Sequence, residues 1–172
     1  IFSWVFVHSY SCMERIKNEF PHLIPNTSVM HNAAPKEKIQ FSDNKNIFSI
    51  FNRSLSLRRR LWLLPSRNRI TITRGKYGSD YFNDLRSSNI AINIHYSRKN
   101  LDDFESGIFE AMASGCLVIS EKLYEKTLID LGVGQAIIQV KSPLELKQKL
   151  KYLENKPEII KSYQEKIKNA II

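Results

Sequence analysis

The 172-residue chain is short of the features that mark several protein classes. Its two cysteines, Cys12 and Cys116, are too few for a disulfide framework or a cysteine-ligated zinc cluster, which fits a reducing compartment. The apolar opening from Ile1 to Val7 falls far short of the ~18 residues that cross a bilayer. It also lacks the basic region and cleavage site of a signal peptide, so it reads as a buried strand. The four histidines show no metal-ligand spacing. Gly132-x-Gly134 lacks a third glycine and follows a helical stretch, so it is no dinucleotide fingerprint. No Ser-His-Asp or Cys-His order can be assembled, and there is no internal repeat or low-complexity segment. With 42% hydrophobic and 25% charged residues, what remains is an ordinary globular domain. The chain starts at Ile1, not Met, which reads as a piece of a longer protein.

One further absence is local. Between Asp43 and Asp80 there is no acidic residue, while Lys45, Arg53, Arg58, Arg59, Arg60, Arg67, Arg69, Arg74 and Lys76 supply nine cations, equal to the whole net charge of +9. Such a run is either a solvated basic face or a seat for an anionic partner, because the guanidinium fork matches phosphate oxygens. From Lys141 onward eight lysines alternate with four glutamates at helical spacing, the pattern of an exposed helix surface.

Hydrophobic periodicity and turn signals predict alternating strands and helices. Strands are expected at Ile1–His8, Asn46–Phe51, Arg69–Thr73, Ile90–His95, Leu117–Ser120 and Ala136–Val140. Helices are expected at Ser11–Glu19, Leu57–Leu64 (stopped by Pro65), Ser79–Ser87, Ser106–Ser114 (capped by Gly115) and Tyr124–Leu131 (stopped by Gly132). Phe20–Ala34, with its two prolines, reads as irregular connection. Ser142-Pro143-Leu144-Glu145 is a capping box opening a helix with Leu146, Leu150 and Leu153 on one face. A last helix near Pro157 shows Ile160, Tyr163, Ile167 and Ile171. This alternation implies a parallel sheet built from βαβ units, an α/β domain with helices on both faces. Ligands of such sheets bind beyond the carboxyl ends of the strands. That places His95, the loop 96–104, the helix start at Ser106 and the turn 51–58 on one rim.

The segment from Asp102 to Ser120 is the most informative. Its helix opens at Ser106-Gly107, where free N–H groups and the absence of a side chain let an anion approach the backbone. Glu110 follows within a turn or so. A carboxylate beside a phosphate makes sense if it accepts from neutral hydroxyls such as those of ribose; it can equally serve only as a helix acid near the dipole's positive end. Cys116, directly before a strand, has the character of a small buried hydrophobe.

The segment resembles the signature of the group 1 glycosyltransferases of the GT-B fold, whose donor-binding helix reads roughly E-G-F-G-x-x-x-x-E-A-M-A-x-G-x-P-V-I-x-S. Glu110-Ala111-Met112-Ala113-Ser114-Gly115, then Val118-Ile119 and Ser120, match in order and spacing, and Phe104 matches the family phenylalanine. The first family glutamate falls on Asp102. The two family glycines fall on Asp103 and Glu105, and the usual proline on Leu117. The likeness is nearest to the divergent branch related to spore-coat and surface-polysaccharide transferases, which often carries an arginine where this chain has Gly107. The family also places Arg-x-x-x-x-Lys after the first strand of this domain, and Arg53 to Arg58 gives Arg-x-x-x-x-Arg there. The resemblance covers roughly Ile47 to the end of the chain.

The resemblance implies a Rossmann-like sheet forming one half of a GT-B fold, with residues 35–172 the nucleotide-sugar-binding domain. Residues 1–34 would be the end of, or a link from, an acceptor domain that is missing from this chain. It implies Glu110 on the donor ribose, and Arg53 and Arg58 on the diphosphate leaving group. Asp102, Phe104, His95 and the amides of Ser106, Gly107 and Ile108 would lie around the phosphates and sugar. It further implies a metal-independent transferase, retaining by family habit and with no cofactor. The donor would be a nucleoside-diphosphate sugar and the acceptor a glycan or lipid-linked glycan, in surface-polysaccharide synthesis. Such an enzyme would be cytoplasmic, with contact to an anionic membrane face left open and no nucleic acid expected. Two alternatives remain at this point: a basic α/β module for a polyanion or nucleic acid, and a transferase domain that has lost catalysis.

Overall fold

A computed structural model describes residues 4–31, 33–34, 36–96 and 104–171. Five strands, β3 (Ile47–Phe51), β4 (Thr71–Ile72), β5 (Ser88–Asn93), β6 (Leu117–Glu121) and β7 (Ile137–Val140), form one sheet in the order β4-β3-β5-β6-β7. All its pairings are parallel. A parallel sheet is covered on both faces, and these strands accordingly read as near-continuous apolar runs. Helices α2 (Leu57–Leu63), α3 (Gly78–Arg86), α4 (Ser106–Ala113), α5 (Glu125–Asp130) and α6 (Pro143–Glu154) lie between or after the strands, and α7 (Pro157–Ile171) follows. The architecture is the Rossmann-like α/β sheet with helices on both faces that the alternation predicts.

Period-two alternation divides the strand side chains between two cores. Ile50, Ala91, Val118 and Ile137 pack with Leu85, Ile108, Met112 and Leu128 of α3, α4 and α5. Phe51, Ile90, Ile92, Leu117, Ile119 and Val140 pack with Leu63 of α2 and with Leu146, Leu150 and Leu153 of α6. Helix α7 belongs to both, with Ile160 in the second core and Ile167 in the first. It passes beside the amino end of β5, where Gln164 Nε2 donates to the Asn89 carbonyl at 3.1 Å. Nearby, the Lys45 ammonium donates to the carbonyls of Arg86, Ser88 and Ser114, which satisfies chain ends left by α3 and α4. Burial pulls its pKa down.

Several boundaries differ from expectation for identifiable reasons. Helix α2 ends at Leu63, just before Pro65 as expected, but Pro65 does not end the helical turns. It sits in the first turn of a 3-10 helix, Leu64–Arg69, where its missing N–H costs nothing, and the strand expected at Arg69–Thr73 shortens to Thr71–Ile72. Ser142 caps α6 by accepting from the Glu145 N–H, but the return bond from Glu145 reaches the Lys141 N–H, one residue before the box position. Gly115 adopts φ +70°, as a helix-ending glycine should. Within the segment expected to be irregular, Pro21–Asn26 is a 3-10 helix and Thr27–Val29 is a strand, β2. Three residues are too few to display a period, and only pairing reveals it.

Strand β2 pairs in parallel with β1 (Val5–Val7) across helix α1 (Tyr10–Glu19), a βαβ unit with its own two-stranded sheet. It meets the main sheet's α5 through one aromatic joint. Tyr10 stacks on Tyr124 with centroids 5.5 Å apart, Lys126 lies 4.5 Å over the Tyr10 ring, and the Tyr10 hydroxyl donates to Asp130. That hydrogen bond raises the Tyr10 pKa to about 12. Among the described residues no helix is long and apolar enough to cross a membrane.

Helix α6 supplies an internal control on these packing assignments. Leu150, fully buried, should lose about 3 kcal/mol of unfolding free energy on truncation to alanine. Leu144→Ala, on the exposed side of the same helix, should change it by less than about 0.5 kcal/mol, both read from urea denaturation.

Candidate functional site

The sheet order turns back on itself at β3, with β4 on one side and β5 on the other. The crevice beyond the carboxyl ends of β3 and β5 is therefore the topological switch point, where open α/β sheets bind ligands. A cavity of about 970 Å³ opens there. Its walls are the tip of β3 from Asn52 to Leu55, the loop 74–78 with Tyr81 of α3, Tyr96 after β5, and Phe104 to Ser106 with Glu110 of α4. His8, from the end of β1, completes it.

At the centre of the rim, the Arg53 guanidinium lies directly on Gly107 in the first turn of α4. A β-carbon at residue 107 would sit 0.6 Å from Arg53 Nη2, so the guanidinium occupies the space that any larger residue would need. A cation at the positive end of a helix dipole is unfavourable by itself, and carboxylates offset it. Arg53 Nη2 stands 3.7 Å from Glu110 Oε2, within ion-pair range but beyond a hydrogen bond, and it has no hydrogen-bond partner. The same Glu110 oxygen, Oε2, accepts from the Tyr81 hydroxyl at 2.7 Å, which orients the carboxylate. Burial, with the neighbouring carboxylate, pushes the Tyr81 pKa well up, so the hydroxyl keeps its proton and remains a donor.

Behind this pair runs a chain of alternating charges. Arg59 is almost fully buried; it donates to the carbonyls of Ile94 and Ser54 and lies 3.3 Å from Glu105. Its guanidinium also sits over the rings of Phe51 and Tyr96. Burial lowers its pKa, against the pull of Glu105. Glu105 lies 3.3 Å from His95 Nδ1, and the other ring nitrogen, Nε2, lies 3.0 Å from the Lys122 carbonyl. An acceptor on each ring nitrogen calls for two N–H groups, the imidazolium form. Burial opposes that charge, but the bonds to Glu105 and Lys122 and the fields of Glu105 and Glu121 outweigh it, so the His95 pKa is raised. Burial likewise pushes Glu105 up, but the His95 hydrogen bond and the charges of Arg59 and Arg53 hold it below the usual carboxylate range. Glu121, at the end of β6, accepts from both terminal guanidinium nitrogens of Arg58 and, at 2.8 Å, from the His95 N–H.

The residues singled out from sequence thus have different places. Arg53, Glu110, Ser106 and Phe104 line the cavity. Phe104 is also a core side chain against Phe109, with ring centroids 4.7 Å apart. Gly107 and Ile108 are buried behind the wall, and the Ile108 N–H is taken by the Glu105 carbonyl. Arg58 faces away from the cavity into its pair with Glu121, and His95 is fully buried between Glu105 and Lys122. Asp102 lies outside the described residues. Sequence reasoning passed over Tyr81, Arg59, Glu105 as a buried partner, and Glu121. Arg59 carried a signal as a neighbour in the Arg58–Arg60 run; Tyr81 carried none. Cys116 is fully buried, its thiol donating to the Leu85 carbonyl and pushed up to about 12 by desolvation.

A parallel five-stranded sheet with a crevice at its switch point defines a Rossmann-like α/β domain. Comparison with known proteins narrows this. The profile of the glycosyl transferase-like family matches residues 49–172, and the chain belongs to that family. Among solved structures, a chain of the GtfA/B complex aligns with a TM-score of 0.62 and 12% identity, over 99% of this chain and 42% of that one. At such identity the likeness is one of fold, and this chain spans less than half the length of that relative. No curated protein matches the sequence.

The His95–Glu105 contact gives stability a defined pH dependence. A raised histidine pKa contributes stability that is complete below the unfolded value near 6.5 and is lost as pH rises through the folded value. A depressed glutamate contributes above its unfolded value near 4.3 and is lost as pH falls through the folded one. Urea unfolding should therefore show the parent losing stability relative to His95→Gln as pH rises above about 6.5, the gap narrowing as the histidine discharges.

Proposed function

We propose that this chain is the donor-binding domain of a glycosyltransferase and holds a nucleoside-diphosphate sugar in the cavity beyond β3 and β5. The observation that carries this reading is the Arg53 guanidinium on Gly107, with an unsatisfied N–H beside Glu110. A donor of this class presents both acceptors for a guanidinium and hydroxyls for a carboxylate, a short distance apart. In this reading Glu110, aimed by Tyr81, accepts from the ribose hydroxyls, and Arg53 with the amino end of α4 near Ser106 meets the diphosphate. Tyr77, one helical turn before Tyr81 and 84% exposed on the cavity wall, lies where the base would extend beyond the ribose.

The chemistry required of these groups is electrostatic. As the glycosidic C1–O bond breaks, its electron pair passes to the β-phosphate oxygen, and the fixed Arg53 cation stabilises the charge that develops there. Arg58 acts one step removed in this scheme. Through Glu121 it holds the His95 backbone, and His95 holds Glu105 against Arg59. Asp102 is assigned to the donor sugar by resemblance alone. The acceptor, a glycan or lipid-linked glycan, belongs to a second domain, with residues 1–34 on its side of the boundary. His8 on the cavity wall supports that placement. We assign the pathway to surface-polysaccharide synthesis and the setting to the cytoplasmic face.

The nucleic-acid alternative is weakened by the fate of the basic run. Arg53, Arg58, Arg59, Arg69 and Lys76 are paired with Glu110, Glu121, Glu105, Glu154 and Asp84, and Lys45 is spent on carbonyls.

Calorimetric titration of UDP, GDP and ADP, with a random oligonucleotide as the rival ligand, tests the reading. One nucleoside diphosphate should bind, and Arg53→Ala and Glu110→Ala should each weaken it roughly tenfold to a hundredfold, the weight of a charged hydrogen bond. Gly107→Ala should weaken binding by no more than Arg53→Ala, and adding it to Arg53→Ala should cost nothing further, since it acts only by displacing the same guanidinium. Oligonucleotide binding that ignores Glu110 would sink the proposal.

A further inference from the structure

The acid-free stretch has three cations left over. Among the described residues Arg60, Arg67 and Arg74 have no ion pair, and all three are exposed. They come from α2, from the 3-10 turn after it and from the loop beyond β4, yet they converge. All three rim one small groove of about 200 Å³ whose floor is Leu55, Leu63 and Ile72.

The surface beside that groove is apolar for a reason visible in helix α2. Leu57, Leu61 and Leu64 recur at i, i+4 and i+7, so they lie on one stripe of the helix and its continuation. They are 74%, 58% and 66% exposed. Arg60 falls on the same outward stripe, while Arg58, Arg59 and Leu63 turn inward to Glu121, Glu105 and the core. The outward face is therefore leucine framed by arginine, without an acid from residue 44 to residue 79. A solvated helix face does not need three exposed leucines, and a nucleic-acid face has no use for them at its centre. A second copy of this chain is disfavoured by charge, because a face-to-face pair would set six arginines together with no carboxylate between them.

We infer that this face docks onto an anionic membrane surface, the leucines of α2 entering the headgroup boundary while Arg60, Arg67 and Arg74 meet lipid phosphates. An interfacial surface needs this combination of apolar insertion and basic rim. Leu55 and Arg74 line the donor cavity as well as the groove, so docking would bring that cavity to the lipid surface. The inference does not depend on what the cavity binds.

Vesicle co-sedimentation of the chain tests it, with phosphatidylcholine alone against equal parts phosphatidylcholine and phosphatidylglycerol. The parent should sediment with the anionic vesicles only. Single Arg60→Gln, Arg67→Gln and Arg74→Gln changes should each weaken partition roughly fivefold, the weight of one basic residue at an anionic leaflet. A combined Leu57→Ser, Leu61→Ser and Leu64→Ser variant should lose the part of binding that survives high salt, since apolar insertion is not screened. All these side chains are exposed, so thermal unfolding should match the parent. No partition of the parent overturns the inference. So does partition that is unchanged by the serine variant and equalled by oligonucleotide binding, which marks a general polyanion surface. A serine variant that instead converts a dimer to a monomer in sedimentation, without vesicle binding in the parent, assigns the face to self-association.

Discussion

The Glu121 carboxylate holds the rim together. It stands at the end of β6, almost fully buried, and accepts from both terminal nitrogens of Arg58 on α2 and from the backbone of His95 after β5. Three elements that are distant in sequence are thereby fixed at one point. Removing one partner of such a buried pair leaves an uncompensated charge, typically at a cost of about 3–5 kcal/mol. What stands in front of it inherits its order. His95 is held by Glu121 and in turn holds Glu105, Glu105 holds Arg59, and Arg59 packs against Phe51 and Tyr96 at the cavity wall. At Arg53 and Glu110 the series reaches the cavity, and there one buried guanidinium nitrogen is left without a hydrogen-bond partner.

Charge along this chain and charge in space tell different stories. The acid-free stretch looks like a broad basic surface when read linearly. In the fold, acids from α3, α4, β6 and α6 reach back to neutralise five of its cations. The basic character that survives is concentrated at two places, the crevice and the outer face of α2. Net charge is therefore a poor guide to partners here, and local leftover charge a better one.

How far the sequence disclosed this follows from the range of each interaction. The sheet, its helices and its rim were legible because period-two and helical patterns, glycine stops and the Ser142 cap act within a few residues. Glu110 and Arg53 were legible as a resemblance, and Gly107 as the residue without a side chain at the opening of α4. The choice among Arg58, Arg59 and Arg60 was not. Successive residues on a helix differ by about 100° in direction, and nothing local says which of them faces the core, a carboxylate or solvent. Tyr81 was invisible for the complementary reason: its significance lies in a contact with Glu110, 29 residues away. Strand β2 was missed because its three residues carry no pattern until β1 lies beside them.

Helix α7 has a consequence for how the domain comes into being. It contributes Ile160 to the core on one face of the sheet and Ile167 to the core on the other, and its Gln164 caps the amino end of β5. Neither layer is closed until this helix is in place, so the two cannot mature separately. During synthesis the sheet strands and five of the helices packed around them emerge first, with apolar faces still uncovered. Helix α7 acts as a latch, joining the two layers into one packed unit.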